Sequence, residues 1–118
     1  MTETVTIGIT SRAEISRRAA AAAASGKKAG NFISFESPGL MFKTLTQKRW
    51  DVIEVLTGHK PVSIREVARL VGRDVKAVHG DITALINIGV LQKTKDNKIS
   101  FPFDRVHVDF ELPHKQAI

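Results

Sequence analysis

VSIREVARLVGRDVKAVHGDITALINIGVL, residues 62–91, is the stretch whose reading decides the fold. Ser63 and Glu66 give S-x-x-E, a capping box in which the hydroxyl takes the N3 amide and the carboxylate returns to the N-cap amide. Ile64, Val67, Ala68 and Val71 follow at helical spacing, and Gly72 permits the left-handed step that ends the helix. After only Arg73, Asp74 is placed to cap a second helix with Val75, Val78, Ile82 and Leu85 as its inward stripe and Gly89 as its stop. Two short helices joined by a few residues that include a glycine match the helix-turn-helix unit.

Residues 90–103 read as a wing. Val90 to Thr94 and Ile99 to Phe103 are the expected strands, joined by Lys95-Asp96-Asn97-Lys98, where Asp-Asn tolerates the positive φ of a tight hairpin. RVHVDFEL, residues 105–112, then alternates, with Val106, Val108, Phe110 and Leu112 on one face, until Pro113. HKQAI reads as a frayed tail.

Upstream, Trp50, Ile53 and Leu56 fall at i, i+3 and i+6 of a helix opened by Thr46 and stopped by Gly58, and Pro61 keeps it from running on. Ser37-Pro38 reads as N-cap and N1 of a shorter helix given apolar bulk by Leu40, Met41, Phe42 and Leu45, and NFISF, 31–35, as a short strand. Val5, Ile7 and Ile9 alternate with threonines and Gly8 over residues 3–10, the pattern of a half-buried strand. Ser11 and Glu14 then open a helix through about Ser25 that is rich in alanine and made basic by Arg12, Arg17 and Arg18. Gly26 to Gly30 reads as a linker, which divides the chain into a strand-helix arm (1–30), the winged helix-turn-helix (31–104) and a C-terminal strand and tail (105–118). The fold class expected is mainly α with small β.

Eighteen Lys and Arg stand against 12 Asp and Glu in 118 residues, a net +6 and pI near 10, which favours a polyanionic partner. The absence of cysteine removes thiol catalysis, disulfides and cysteine-ligated zinc. No stretch reaches the roughly 18 apolar residues of a membrane span. The alanine run 19–24 imitates a signal peptide only loosely, because it lacks a leucine-rich core and Glu14 lies just upstream. A cytoplasmic, full-length protein is the expectation.

A helical wheel of the second helix sets Arg73, Lys76, Ala77, Gly80, Ala84 and Asn87 opposite the core stripe, with His79 and Thr83 toward the border. In a helix-turn-helix the exposed N-terminal half of that helix enters the major groove, which gives Lys76, Ala77, His79, Gly80 and Thr83 the base-edge positions. Lysine can donate to guanine, threonine to either pair, and alanine can meet a thymine methyl. Ser63 and Arg65 suit phosphate contact at the start of the preceding helix. Arg73 adds charge in the turn, and Lys93, Lys95, Asn97 and Lys98 equip the wing. Asp81 is acidic near that face and is expected to orient Arg65 or Arg69.

Catalysis and metal binding have no comparable signal. His59, His79, His107 and His114 share no i, i+3 or i, i+4 spacing; Asp96, Asp104, Asp109 and Glu111 form no acid/base pair. Ser37, Asp51 and His79 lack the glycines of a nucleophile elbow, and Trp50 is spaced as a core anchor rather than a base-stacking platform. Neither enzyme activity nor a cofactor is expected.

Three strings, ISFESPGLMFKTLTQKRWDVIEVL, SIREVARLVGRDVKAVHGDITALINIGVL and FPFDRVHVDFEL, together with the opening TVTIGITSRAEISRRA, resemble a family of small MarR-like winged-helix DNA-binding proteins. The resemblance implies a prokaryotic source, a homodimer and a transcriptional regulator, with Lys76, His79 and Thr83 on the recognition helix and Lys95 to Lys98 in the wing. Members are frequently antitoxins that neutralise a small toxin and repress their own operon. Gly80 departs from the family pattern, which commonly has arginine there.

The function expected is sequence-specific binding of double-stranded DNA by a repressor; the alternative is an antitoxin whose arm (11–30) or tail (after Leu112) grips a cognate toxin. The strands at 3–10 and 105–112 need partners, either each other or a second copy. In a dimer, two recognition helices would meet successive major grooves about 34 Å apart.

Overall fold

The computed structural model describes residues 3–9, 16–17, 20–21 and 31–111. Ser16, Arg17, Ala20 and Ala21 are helical and exposed. The rest of the expected arm helix, the linker, Leu112 and the tail lie outside the described residues.

The architecture is α+β: β1 (Thr4–Ile9), β2 (Phe32–Phe35), α1 (Pro38–Thr44), α2 (Gln47–Leu56), α3 (Ile64–Val71), α4 (Val75–Asn87), β3 (Gln92–Lys93), β4 (Ile99–Ser100) and β5 (Arg105–Asp109). Each of α1 to α4 opens on the residue that its sequence nominates. Ser37 Oγ accepts from the Leu40 amide (3.1 Å), Thr46 Oγ1 from Arg49 (3.4 Å), Ser63 Oγ from Glu66 (3.2 Å), and an Asp74 oxygen from Lys76 (3.1 Å). The capping box at Ser63 forms only by half. The Glu66 carboxylate accepts from the Arg69 guanidinium one turn on instead of returning to the N-cap amide.

Gly72 ends α3 at φ 69°, ψ 36°, and the Arg73 amide reaches back to the Ala68 carbonyl at 3.0 Å. This left-handed step redirects the chain into α4 within three residues. Val67, Ala68, Val78, Ile82 and Leu85 meet Val52, Ile53 and Leu56 of α2 in one core. Val75, expected in that stripe, is instead 42% exposed, at the first position of α4.

The wing is shorter than its sequence suggests. Gln92 pairs with Ser100 and Lys93 with Ile99, antiparallel. Val90 and Leu91 do not join the ladder, because their amides close α4 on the Leu85 carbonyl. Pro102 has no amide to continue the other strand, and Phe103 N instead donates to Phe101 O at 2.8 Å. Val62 adds a rung from the other side: it exchanges hydrogen bonds with Ile99 at 3.1 and 2.7 Å, which joins the wing to the start of α3. Helix, strand rung, helix, helix and hairpin make a winged helix-turn-helix.

The strands at the two ends of the chain pair with each other. β1 lies between β2 and β5 in a wholly parallel sheet. Val5 and Ile7 are buried in the core. Their neighbours on the same face of β5 are Val106 and Val108. Gly8 permits the close approach, since a Cβ there would collide with the Asp109 carbonyl. The sequence leaves residues 3–10 and 105–112 open to pairing in cis or in trans, and the contact is within the chain. Val108 is nevertheless 44% exposed, because β5 is the outer strand and α2 does not cover it fully. α1 buries Met41, with Leu45 after it, but leaves Leu40 and Phe42 exposed; Phe42 meets Phe110 edge-on at 6.1 Å.

Candidate nucleic-acid interface

The outer face of α4 is a line of residues at i, i+4, i+7 and i+11: Lys76, Gly80, Thr83 and Asn87, all exposed. Ala77 and His79 flank it and are exposed as well. Ser63 and Arg65 stand exposed at the start of α3, the Ser63 hydroxyl already engaged as a cap. At the wing, Lys93, Lys95, Asn97 and Lys98 are all exposed.

Asn97 serves the wing through its backbone. It takes φ 67°, the left-handed conformation asparagine tolerates, while its amide donates to Thr94 O (3.0 Å) and Thr94 N donates to Lys98 O (2.8 Å). The Thr94 hydroxyl donates to Asp96 at 2.6 Å and accepts from the Lys98 amide at 3.0 Å. The Thr94 bond, followed by the backbone amide of Asp96 itself, holds the Asp96 carboxyl below its usual range. Asp96 therefore stays ionised beside Lys98, 3.9 Å away, and offsets part of the charge at the wing tip. Both side chains are largely exposed, so their attraction is weak.

Arg73 is not on the outer face. Its side chain is 19% exposed, and Nη2 donates to Asp81 Oδ2 at 2.9 Å. The other Asp81 oxygen accepts from Arg49 Nε at 3.2 Å, and Arg49 Nη1 donates to the Thr44 carbonyl at 2.8 Å. The carboxylate thus ties the turn before α4 to the beginning of α2. The sequence nominates Arg65 or Arg69 as the partner of Asp81, but Arg65 is out on the surface and Arg69 bonds Glu66. That exposed bond holds the Glu66 carboxyl below its ordinary value and raises Arg69.

For the outer face the consequence is electrostatic. Asp81 is turned inward between two guanidinium groups and adds no outward carboxylate to the ridge, while the exposed Asp74 cap stands beside Lys76 and accepts from its amide at 3.1 Å. Arg49 is the member that sequence reading missed. The signal was there: Asp81 lies three residues after Val78 and four before Leu85, which places it beside the core stripe and implies a buried cationic partner.

Gly80 fits the ridge without being required by it, since an added Cβ would meet nothing within 4 Å. Trp50 packs half-buried against the core, as its spacing predicts, and borders a groove of about 400 Å³ with Ile53, Glu54, Thr57, Val106 and Val108. His59 Nδ1 lies 2.8 Å from the Lys60 carbonyl, His79 is on α4 and His107 on β5, while His114 lies outside the described residues. Among the described residues no group of three or more His, Asp or Glu is placed to hold a metal ion. No helix among them is long and apolar enough to cross a membrane. The segments expected to grip a toxin, 11–30 and the tail after Leu112, lie outside the described residues except for Ser16, Arg17, Ala20 and Ala21.

Fold and surface together define a winged helix-turn-helix protein whose second helix keeps an open outer face. Residues 44–108 match the HVO_A0114 family, more than half of the chain, and the chain belongs to that family. The match runs from the end of α1 through most of β5. No curated protein and no solved structure matches the chain.

Proposed function

We propose that this chain is a sequence-specific duplex-DNA-binding protein that regulates transcription in the cytoplasm, acting as a repressor by occupying an operator. The observation that carries the reading is the combination of an unobstructed α4 ridge with a lysine-bearing wing joined to the same core through Val62 and Ile99. Resemblance of the sequence to MarR-like regulators supports it, and so does the net charge of +6.

In this reading Lys76 and Thr83 contact base edges, and His79 reaches the flank of the site. Ala77 and Gly80 allow the helix to sit close. Arg65 and the free amides at the start of α3 hold a phosphate, and Lys93, Lys95 and Lys98 hold backbone beyond the groove. Arg73 belongs to the scaffold and acts by fixing the entry of α4. Most of the affinity comes from phosphate neutralisation, so it falls steeply with salt.

The test is fluorescence-anisotropy titration of labelled duplex DNA at two salt concentrations, with the natural chain and with Lys76→Ala/Lys95→Ala. The expected result is weaker binding by the variant and a salt slope shallower by about one for each phosphate that is no longer neutralised. Equal affinities and equal slopes for the two proteins would refute the assignment.

A further inference from the structure

We infer that two copies of this chain join edge to edge through β5, antiparallel about a two-fold axis at His107, so that the two three-stranded sheets become one. This inference is independent of the DNA reading and stands on the outer strand alone. Among the described residues β5 has a strand on one side only. The Arg105 amide donates to Glu3 O, which directs the main-chain groups of Arg105, His107 and Asp109 toward β1. In a parallel ladder the alternate residues then present theirs outward, and these are Val106 and Val108.

The strand is its own complement. Laid antiparallel on itself, RVHVD places Arg105 opposite Asp109 of the second copy, Val106 opposite Val108, and His107 opposite His107. The hydrogen-bond parity agrees with that register: Val106 and Val108 form the bonded pairs, while Arg105 with Asp109 and His107 with His107 take the non-bonded positions. Side chains approach most closely at non-bonded positions, with Cα atoms about 4.5 Å apart. Opposite charges therefore meet where cross-strand contact is strongest.

The apolar side fits as well. Val106 and Val108 share a face with Val5 and Ile7, and they line the groove beside Trp50. Pairing sets the valines of the second copy next to this half-open strip and removes from water an edge strand that would otherwise be an association hazard. An exposed Arg–Asp pair adds little to affinity. Its work is to select a second copy in this register over any other strand.

Sedimentation velocity on the full chain tests it directly. The natural chain is expected to dimerise, and Arg105→Asp or Asp109→Arg alone to weaken the dimer at least tenfold by setting like charges opposite one another. The double variant Arg105→Asp/Asp109→Arg should restore it. Because the chain has no cysteine, His107→Cys supplies a single thiol on the axis, at a separation that suits a disulfide, and mild oxidation should yield a covalent dimer. Circular dichroism of each variant should match the natural chain, since all three side chains are exposed. A natural chain that stays monomeric at millimolar concentration overturns the proposal. So does a dimer indifferent to both charge reversals, which would place its interface elsewhere or bring in a partner of another kind.

Discussion

Gly80 and Asp81 are adjacent in sequence and play opposite parts. Gly80 lies on the open face of α4 with nothing near its absent side chain, so Gly80→Ala should stabilise the chain by about 1 kcal/mol, read as a rise in the urea midpoint. No gain would mean that the ridge is covered. Asp81 is 17% exposed and carries two guanidinium groups. Asp81→Ala should cost roughly 1.5–3 kcal/mol, the usual loss for hydrogen bonds to a charged group, in the same measurement. Glu66 supplies a pH test. Arg69 holds its folded-state carboxyl below the unfolded value, so its small contribution is present above the unfolded value and is lost as pH falls through the folded one. In an NMR titration, Arg69→Ala should move the Glu66 midpoint upward. At this scale the caps were legible, because serine, threonine and aspartate at helix starts have a local reason to be there. The Arg49–Asp81–Arg73 bridge was not, since it joins residues 32 and 8 apart in sequence.

Elements were legible in kind and less so in extent. The helix-turn-helix boundaries follow from Ser63, Gly72, Asp74 and Gly89, each acting within one turn of itself. The wing is shorter than alternation implies, because the α4 cap claims Val90 and Leu91 and Pro102 interrupts the far side. A propensity scan weighs neither effect. β1 holds its place through a close approach to β5 at Gly8, so Gly8→Ala should overpack that contact and cost roughly 1–3 kcal/mol, seen as a lower melting temperature. An unchanged melting temperature would mean that the two strands are not held at this distance.

At the scale of the whole molecule, the order β2-β1-β5 was beyond sequence reading, although the β1 and β5 segments alternate visibly. Parallel pairing between residues about 100 positions apart is decided by the volume left beside the helical core, and no local pattern encodes that. The consequence is mechanical. β5 follows directly on the wing, and its ladder with β1 fixes the chain just beyond Phe101 and Phe103, which stack edge-on at 5.0 Å. The α4 ridge and the wing are thereby mounted on one core. Under the proposed function, that fixed relation is what a DNA duplex meets.

The most direct measurement is a two-dimensional amide NMR titration of the isotope-labelled full chain with duplex DNA. The expected result is perturbation at residues 63–65, 76–83 and 93–98, with the amides of Val5 to Ile7 unmoved. Shifts gathered instead along β5 and the Trp50 groove, or none at all at low salt, would contradict the account.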